Sequence, residues 1–166
     1  MLGQIADGTL VTPLEVEMSE HQPRNPEYRC FVARYVEAQR YLALLGVELA
    51  RVEPGLVEYR LPLPSGRRPA GWLFPWRRGR GIAEAVMGAA AATLVTAGAN
   101  VVGAEYKVNL LSPGRGAALL ARGTVVKPGR RLIVCRADIL AVAADGAETL
   151  CAIAQGAMAV IEPQLG

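Results

Sequence analysis

The feature that most constrains the fold is a run of seventeen residues, 81–97, that is rich in alanine and carries one charged side chain, Glu84. Strong helix formers occupy most of its positions. A helix without a polar face has no side suited to solvent, so this run predicts a helix buried on most sides. Its small side chains allow other backbones to come close. The run is too short and too closely bracketed by polar loops to predict a membrane span.

The rest of the chain is typical of β-strands. Runs of valine, isoleucine, leucine and threonine, several of them separated by Pro-Gly, Gly-Arg or Asp-Gly turn signals, predict strands at 47–53, 56–63, 101–111, 117–126, 131–143 and 149–161. An antiparallel sheet around one buried helix satisfies both patterns. We therefore expect an α+β architecture with one shared core.

Alternation within 101–111 predicts which side chains share a face of its strand. One predicted face carries Val102, Ala104, Tyr106, Val108 and Leu110. The other carries Glu105, Lys107 and Asn109.

The N-terminal part of the chain predicts an arm followed by a helix. Residues 1–24 mix glycine, proline and charge without a clear period, and the single histidine, His21, is expected to be solvated there. Asn25 as N-cap, Pro26 at the first helical position and Gly46 as a stop delimit an amphipathic helix. The predicted organisation is therefore an arm at 1–24 and a single domain at 25–166.

Composition limits the possible functions. The chain has 166 residues, enough for about one domain, and a net charge of +3 in which acids offset most basic residues, so nucleic acid is not expected as a partner. Three cysteines without framework spacing favour reduced, buried thiols, and no zinc motif or metal site is predicted. The N-terminus has neither a basic leader nor an apolar signal core. We therefore expect a cytoplasmic protein without a membrane segment.

A loop at 64–80 is the strongest candidate for an anion site. It carries five arginines and both tryptophans and leads to the start of the buried helix. Free backbone N–H groups and the helix dipole favour an anion there, and arginine suits phosphate or carboxylate. Two alternatives stay open, namely a solvated basic loop pinned by its aromatic residues, and a loop adapted to a carboxylate ligand or an acidic partner.

The order of elements and three local sequences resemble one family. The segments are 44–47 (LLGV), 103–113 (GAEYKVNLLSP) and 123–132 (GTVVKPGRRL). Together with a helix, two strands, a glycine-bearing loop, a buried helix and four more strands, they resemble the hotdog fold and its PaaI-like acyl-CoA thioesterase branch. The similarity runs from about residue 31 to residue 161.

The resemblance implies an acyl-CoA thioester hydrolase that forms a homodimer or a tetramer built as a dimer of dimers. Coenzyme A enters as part of the substrate, and no separate cofactor is implied. In this family backbone N–H groups at the start of the central helix polarise the thioester carbonyl, and a helix carboxylate acts as base or nucleophile. Here the usual His-Gly-Gly aligns with residues 79–81 (GRG), the acidic position with Gly88 and a helper hydroxyl with Ala92.

Glu84 is the candidate replacement for the missing acid. It lies four residues before Gly88 and projects from nearly the same helix face. The predicted catalytic set is Glu84 with the backbone amides of Arg80 and Gly81. The alternative is that Glu84 complements the helix dipole or pairs with a nearby arginine, in a protein that binds acyl-CoA or another acidic ligand without hydrolysing it.

Coenzyme A has phosphates that favour lysine and arginine. The turn that carries Lys127, Arg130 and Arg131 contacts the cofactor in related proteins, so the resemblance assigns coenzyme A binding to these three residues. Lys107 and Asn109 match the family's strand pattern and complete the predicted set. Taken singly, each of the five favours ordinary surface polarity over a ligand contact, and the prediction rests on the cluster.

Overall fold

The computed structural model describes residues 21–63 and 76–163. In chain order the elements found there are α1 (Tyr28–Glu37), α2 (Arg40–Leu45), β1 (Glu48–Glu53), β2 (Leu56–Pro62), α3 (Trp76–Ala92), β3 (Asn100–Leu110), β4 (Ala118–Pro128), β5 (Leu132–Val142) and β6 (Glu148–Ile161). Every predicted strand is present, with ends within two residues of those predicted.

The six strands form one antiparallel sheet in the order β1-β2-β4-β5-β6-β3, and α3 packs against one side of it. We call this the inner side of the sheet and the opposite side the outer side. Inward-facing residues of β4, β5 and β6 are small or aliphatic, among them Ala121, Ala137 and Ala154, all nearly inaccessible to solvent. The predicted architecture, a sheet around a central helix, is confirmed.

Burial of α3 follows from its small side chains. Ala83, Val86 and the four alanines 89–92 have no exposed surface. The helix and sheet backbones meet at Gly123 on β4, where an added Cβ would overlap the carbonyl of Val86. A close approach of this kind requires glycine on the strand.

The ends of α3 differ from the prediction. The helix spans Trp76–Ala92 instead of 81–97, so the last part of the predicted loop 64–80 is helical. The remainder of that loop, 64–75, lies outside the described residues. At the C-terminal end the hydroxyl of Thr93 donates to the carbonyl of Ala90 at 2.6 Å and accepts the N–H of Gly55 at 2.7 Å. This threonine therefore satisfies a carbonyl of the last helical turn and ties it to the β1–β2 turn.

The predicted N-terminal helix is divided into α1 and α2. α1 begins at Tyr28 with Glu27 at its N-cap position, so the predicted N-cap, Asn25, and the predicted first helical residue, Pro26, both precede the helix. Asn25 Oδ1 instead accepts the N–H of Glu27 at 2.9 Å in the turn that leads into α1. Gln39 interrupts the helix with φ −86° and ψ 89°, and its side-chain amide donates to the carbonyl of Tyr35 at 3.5 Å. No proline or glycine marks this break, which explains why periodicity predicted one helix. Gly46 ends α2 with φ 69°, as expected.

A β-bulge corrects the predicted faces of β3. The register with β6 shifts between Gly103 and Glu105. Beyond the bulge, Tyr106 pairs with Gly156 and Val108 with Ala154. Gly156 and Ala154 are buried on the inner side of the sheet, so Tyr106 and Val108 lie on that side too. Val102 pairs with Ala159 and lies on the outer side instead. The extra residue of a bulge reverses the alternation, so the single-face assignment of Val102 with Tyr106 is wrong.

Two predictions about single residues also need correction. His21 is partly buried rather than solvated, because its ring packs over Gly55 and its Nε2 lies 3.2 Å from the carbonyl oxygen of Val125. Cys135 and Cys151 are buried as expected, whereas Cys30 is exposed on α1. Residues 1–20 lie outside the described residues, so the predicted arm stays a prediction. Within the described ranges no helix has the length and apolar content to cross a bilayer.

Candidate functional site

A cleft of about 200 Å³ lies where α1 and α2 meet α3 and the β3–β6 edge of the sheet. The N-terminal helices and the residue between them contribute polar side chains, α3 contributes small residues and one carboxylate, and the sheet contributes a glycine and a methionine. The lining residues are Tyr35, Gln39, Tyr41, Gly81, Glu84, Ala85, Gly88, Gly103 and Met158. The cleft is therefore built from both N-terminal helices, the central helix and two strands of the same chain.

Three glycines create the space for the polar side chains of the cleft. An added Cβ at Gly81 would stand 2.7 Å from the Tyr41 ring, and one at Gly103 would stand 2.5 Å from Glu84 Oε1. At Gly88 an added Cβ would stand 2.9 Å from the Tyr35 hydroxyl. Each of these distances is shorter than an ordinary van der Waals contact. The glycines thus allow one carboxylate and two phenols to lie against the backbone.

Glu84 extends from α3 toward β3 and is half-buried. It forms no ion pair with any cation among the described residues, Arg80 included. The structure therefore gives no support to an ion pair between Glu84 and Arg80, one form of the alternative role of Glu84. A carboxylate that opens into a cleft without a cationic partner is available to a ligand or a water molecule.

Tyr35 brings a protonated hydroxyl into the same cleft. Burial and the nearby negative charge of Glu84 both raise the pKa of the Tyr35 phenol above its usual value. At neutral pH the group is therefore a neutral hydrogen-bond donor. We find no hydrogen bond from this hydroxyl to another described residue.

The helix start corrects the predicted role of the Arg80 and Gly81 amides. Only the first four N–H groups of a helix lack an internal partner. Since α3 begins at Trp76, Arg80 and Gly81 are its fifth and sixth residues. Their N–H groups point along the helix toward the preceding turn, so they are not free to polarise a carbonyl. Gly81 nevertheless lines the cleft, where its missing side chain admits the Tyr41 ring.

The predicted cations of the β4–β5 turn lie together at one end of the sheet. Lys127, Arg130 and Arg131 are exposed, and none of them pairs with an acid among the described residues. The turn is held by a hydrogen bond from the N–H of Val160 to the carbonyl of Arg131 at 2.9 Å. Three unpaired cations within five residues of a fixed turn suit an anionic group.

The strand register places this turn and Glu84 at the same end of the sheet. Pro128 pairs with Ile133, Ile133 with Met158, and Met158 with Gly103. Glu84 lies against the last of these residues. Three strand spacings of about 4.8 Å separate the two ends of this row, or roughly 14 Å. The carboxylate and the cationic turn are thus within reach of one extended ligand.

Lys107 and Asn109 do not converge on the cleft. They pair with Gln155 and Ile153 of β6, whose side chains point to the outer side of the sheet. Glu84 lies on the inner side. Lys127 pairs with Val134, which also lies on the outer side. Within one chain, the structure therefore places the β4–β5 turn at the same end of the sheet as Glu84, but keeps Lys107, Asn109 and Lys127 on the opposite side.

Sequence reasoning missed the helical wall of the cleft. Tyr35 counted as part of the apolar stripe of one amphipathic helix, and Gln39 and Tyr41 received no role. Their position depends on the break at Gln39, which no proline or glycine signals. The one available signal was Gly88 itself, a glycine at the position where the family carries an acidic side chain.

Comparison with known proteins finds a matching family model and similar solved structures. Residues 81–146 match the family model described as Thioesterase superfamily. The solved structure of a thioesterase family protein from Silicibacter pomeroyi superposes with a TM-score of 0.75 at 29% identity, covering 81% of this chain and 98% of that chain. No curated protein matches the chain.

Two further solved structures share the fold. A thioesterase from Haemophilus influenzae superposes with a TM-score of 0.63 at 23% identity, covering 74% of this chain and 83% of that chain. The E. coli PaaI protein from the phenylacetic acid degradation operon superposes with a TM-score of 0.69 at 15% identity, covering 84% of this chain and 97% of that chain. The chain has the hotdog fold of these thioesterases, as its sequence predicted, and the family resemblance is supported by the model match over residues 81–146.

Proposed function

We propose that this protein hydrolyses an acyl-CoA thioester to a free acid and coenzyme A, with Glu84 as the catalytic carboxylate. The observation that carries the proposal is the position of Glu84, which opens into the cleft against Gly103 without an ion pair to a described cation. The match of residues 81–146 to the thioesterase superfamily model supports the reaction class. The PaaI-like branch and the coenzyme A part of the substrate are parts of the proposal.

In the proposed reaction Glu84 acts as general base toward a water molecule. The carboxylate takes one proton as the water oxygen attacks the thioester carbonyl carbon, and a tetrahedral oxyanion forms. Collapse of this intermediate breaks the carbon–sulfur bond. The protonated Glu84 returns its proton to the leaving thiolate, so the products are the carboxylic acid and the coenzyme A thiol.

The β4–β5 turn is the proposed site for the phosphates of coenzyme A. Its cations Lys127, Arg130 and Arg131 are exposed and lie at the same end of the sheet as Glu84. A pantetheine arm suits the distance between a phosphate held at this turn and a thioester in the cleft. Lys107 and Asn109 remain predicted contacts to coenzyme A from the outer side, where a ligand that wraps the sheet edge would meet them.

A homodimer is part of the proposal, and pairing of two dimers would give the predicted tetramer. β3 is an edge strand of eleven residues, and it carries the exposed apolar side chains Val102, Tyr106 and Leu110. A long exposed edge strand with apolar side chains favours pairing with another chain. A second copy meeting this edge would lie beside the cleft, since Gly103 belongs to both.

One observation favours a second candidate function. Gly88 supplies no side chain at the position where the family carries its acid, and the Tyr35 hydroxyl fills that space. A protein that binds acyl-CoA or another acidic ligand without hydrolysis would have the same geometry. It would differ in showing ligand affinity without turnover.

The test is a thiol-release assay with purified protein and acetyl, decanoyl and benzoyl thioesters of coenzyme A. Hydrolysis of at least one member well above the rate without protein is the expected result. Binding of these thioesters without release of thiol would overturn the hydrolase proposal and support the binding protein. The same preparation, examined by light scattering, is expected to have at least twice the mass of the chain.

A further inference from the structure

The Tyr35 hydroxyl and the Glu84 carboxylate come from different helices and line the same cleft. Tyr35 comes from α1 and fills the side-chain space of Gly88. Glu84 comes from α3, one helical turn before that glycine. Four residues of an α-helix advance by about 6 Å, so the two groups reach the cleft from positions one turn apart along α3.

A reaction at Glu84 also needs a donor for the oxyanion. The amides predicted for this role, those of Arg80 and Gly81, lie inside α3. Among the described residues that line the cleft, Tyr35 offers a hydroxyl placed beside the carboxylate. The electrostatic environment keeps this phenol protonated, since burial and Glu84 both raise its pKa. It can therefore donate a hydrogen bond but cannot act as base at neutral pH.

We propose that Tyr35 is a catalytic residue whose hydroxyl donates a hydrogen bond to the carbonyl oxygen of the bound thioester, opposite the Glu84 carboxylate. This inference rests on the proposed thioester substrate. The hydrogen bond strengthens as negative charge develops on the oxygen, so its contribution is larger in the transition state than in the bound substrate. Gly88 is required because any side chain there would displace the hydroxyl.

Removal of the hydroxyl alone tests the catalytic role. Tyr35→Phe is expected to lower kcat by about a hundredfold, the usual effect of losing one oxyanion donor, with a much smaller change in KM. Tyr28→Phe is the matched control, because Tyr28 lies on the same helix outside the cleft and its ring faces Arg29. The control is expected to retain full activity. A Tyr35→Phe protein with full kcat would overturn the proposal.

Binding of two substrate analogues separates this proposal from the hydrolase proposal. In the first, a methylene replaces the thioester sulfur of decanoyl-CoA and the carbonyl is retained. In the second, an S-decyl thioether of coenzyme A, the carbonyl is absent. Tyr35→Phe is expected to weaken binding of the ketone about tenfold and to leave binding of the thioether unchanged. This difference is measured by calorimetry and does not depend on turnover.

The thiol-release assay and the binding of the two analogues together distinguish the two proposals. If the wild-type protein binds both analogues but hydrolyses no thioester, the hydrolase proposal fails, and the ketone–thioether difference alone decides the role of Tyr35 as a carbonyl ligand. Equal effects of Tyr35→Phe on the two analogues would overturn that role even in an active enzyme. A wild-type protein that binds neither analogue would overturn both proposals.

Discussion

The hydroxyl of Tyr35 lies 2.9 Å from the point where a Cβ on Gly88 would stand. The two residues come from different helices, α1 and α3, and one supplies the polar group while the other supplies the space for it. The next nearest atom to that point is the Tyr35 Cζ at 3.8 Å, an ordinary contact distance. The hydroxyl oxygen is therefore the atom that would have to move if residue 88 carried a side chain.

This relationship predicts non-additive stability. Gly88→Ala gains helix propensity of up to about 1 kcal/mol, but in the wild-type protein the new methyl group meets the Tyr35 hydroxyl. In a Tyr35→Phe background the same change is expected to stabilise the protein by about 1 kcal/mol, or roughly 2–4 °C in Tm. Thermal and urea denaturation of the four proteins measure the difference. An equal effect of Gly88→Ala in both backgrounds would contradict the contact.

The contact between Gly123 and the backbone of Val86 predicts a second stability effect. Gly123→Ala places a methyl group against the helix carbonyl, which cannot move without shifting α3, so a loss of about 1–3 kcal/mol is expected. Thr124→Ala is the control, since Thr124 is the next residue on β4 and faces the outer side. Its expected effect is less than about 1 kcal/mol in urea denaturation. Equal stability of Gly123→Ala and the wild type would show that α3 does not approach β4 this closely.

The three cysteines are expected to react at different rates. Burial raises the pKa of the Cys135 thiol to about 12, so this thiol is protonated and unreactive at neutral pH, and Cys151 is also buried. Cys30 is exposed. A thiol reagent should therefore titrate one group rapidly in the native protein and three after denaturation, and Cys30→Ser should remove the rapid phase. Rapid reaction of two or three native thiols would contradict the buried positions.

The cations of the β4–β5 turn are predicted to bind the phosphates of coenzyme A and to make no contribution to the chemical step. Replacing Arg130 and Arg131 by glutamine should raise KM for acyl-CoA about tenfold at low salt, since the turn's charges lie unpaired. Turnover of the matching acyl-pantetheine, which lacks the nucleotide phosphates, should not change. Arg51→Gln is the control, because Arg51 already pairs with Glu53 on β1. An equal loss with both substrates would assign the turn a structural role.

Local signals were sufficient to predict the sheet and the central helix. Each strand has β-branched residues and most are bounded by turn residues, and the burial of α3 follows from its alanines. Features set by long-range contacts could not be predicted. The bulge at Gly103 depends on pairing with β6, and the helix break at Gln39 has no local signal of the usual kind.

In the candidate site, too, residues with a local sequence signal were predicted and residues placed by long-range contacts were missed. Glu84 was predicted because a single charge on an apolar helix is visible in the sequence, and the structure places it in the cleft. Tyr35 was missed because its apolar-face position predicts core packing equally well. The role of Arg80 and Gly81 depended on where α3 begins, and the glycines and arginines of residues 76–80 predicted a loop where the structure has the first turn of the helix.

The most direct test of the account compares Glu84→Gln with the wild type in the thiol-release assay. Glutamine keeps the shape of the side chain but cannot accept the proton of the attacking water, so kcat should fall at least about a hundredfold while the fold is unchanged by circular dichroism. Glu105→Gln, on the exposed outer side of β3, is the matched control and should be fully active. Full activity of Glu84→Gln would contradict the central claim.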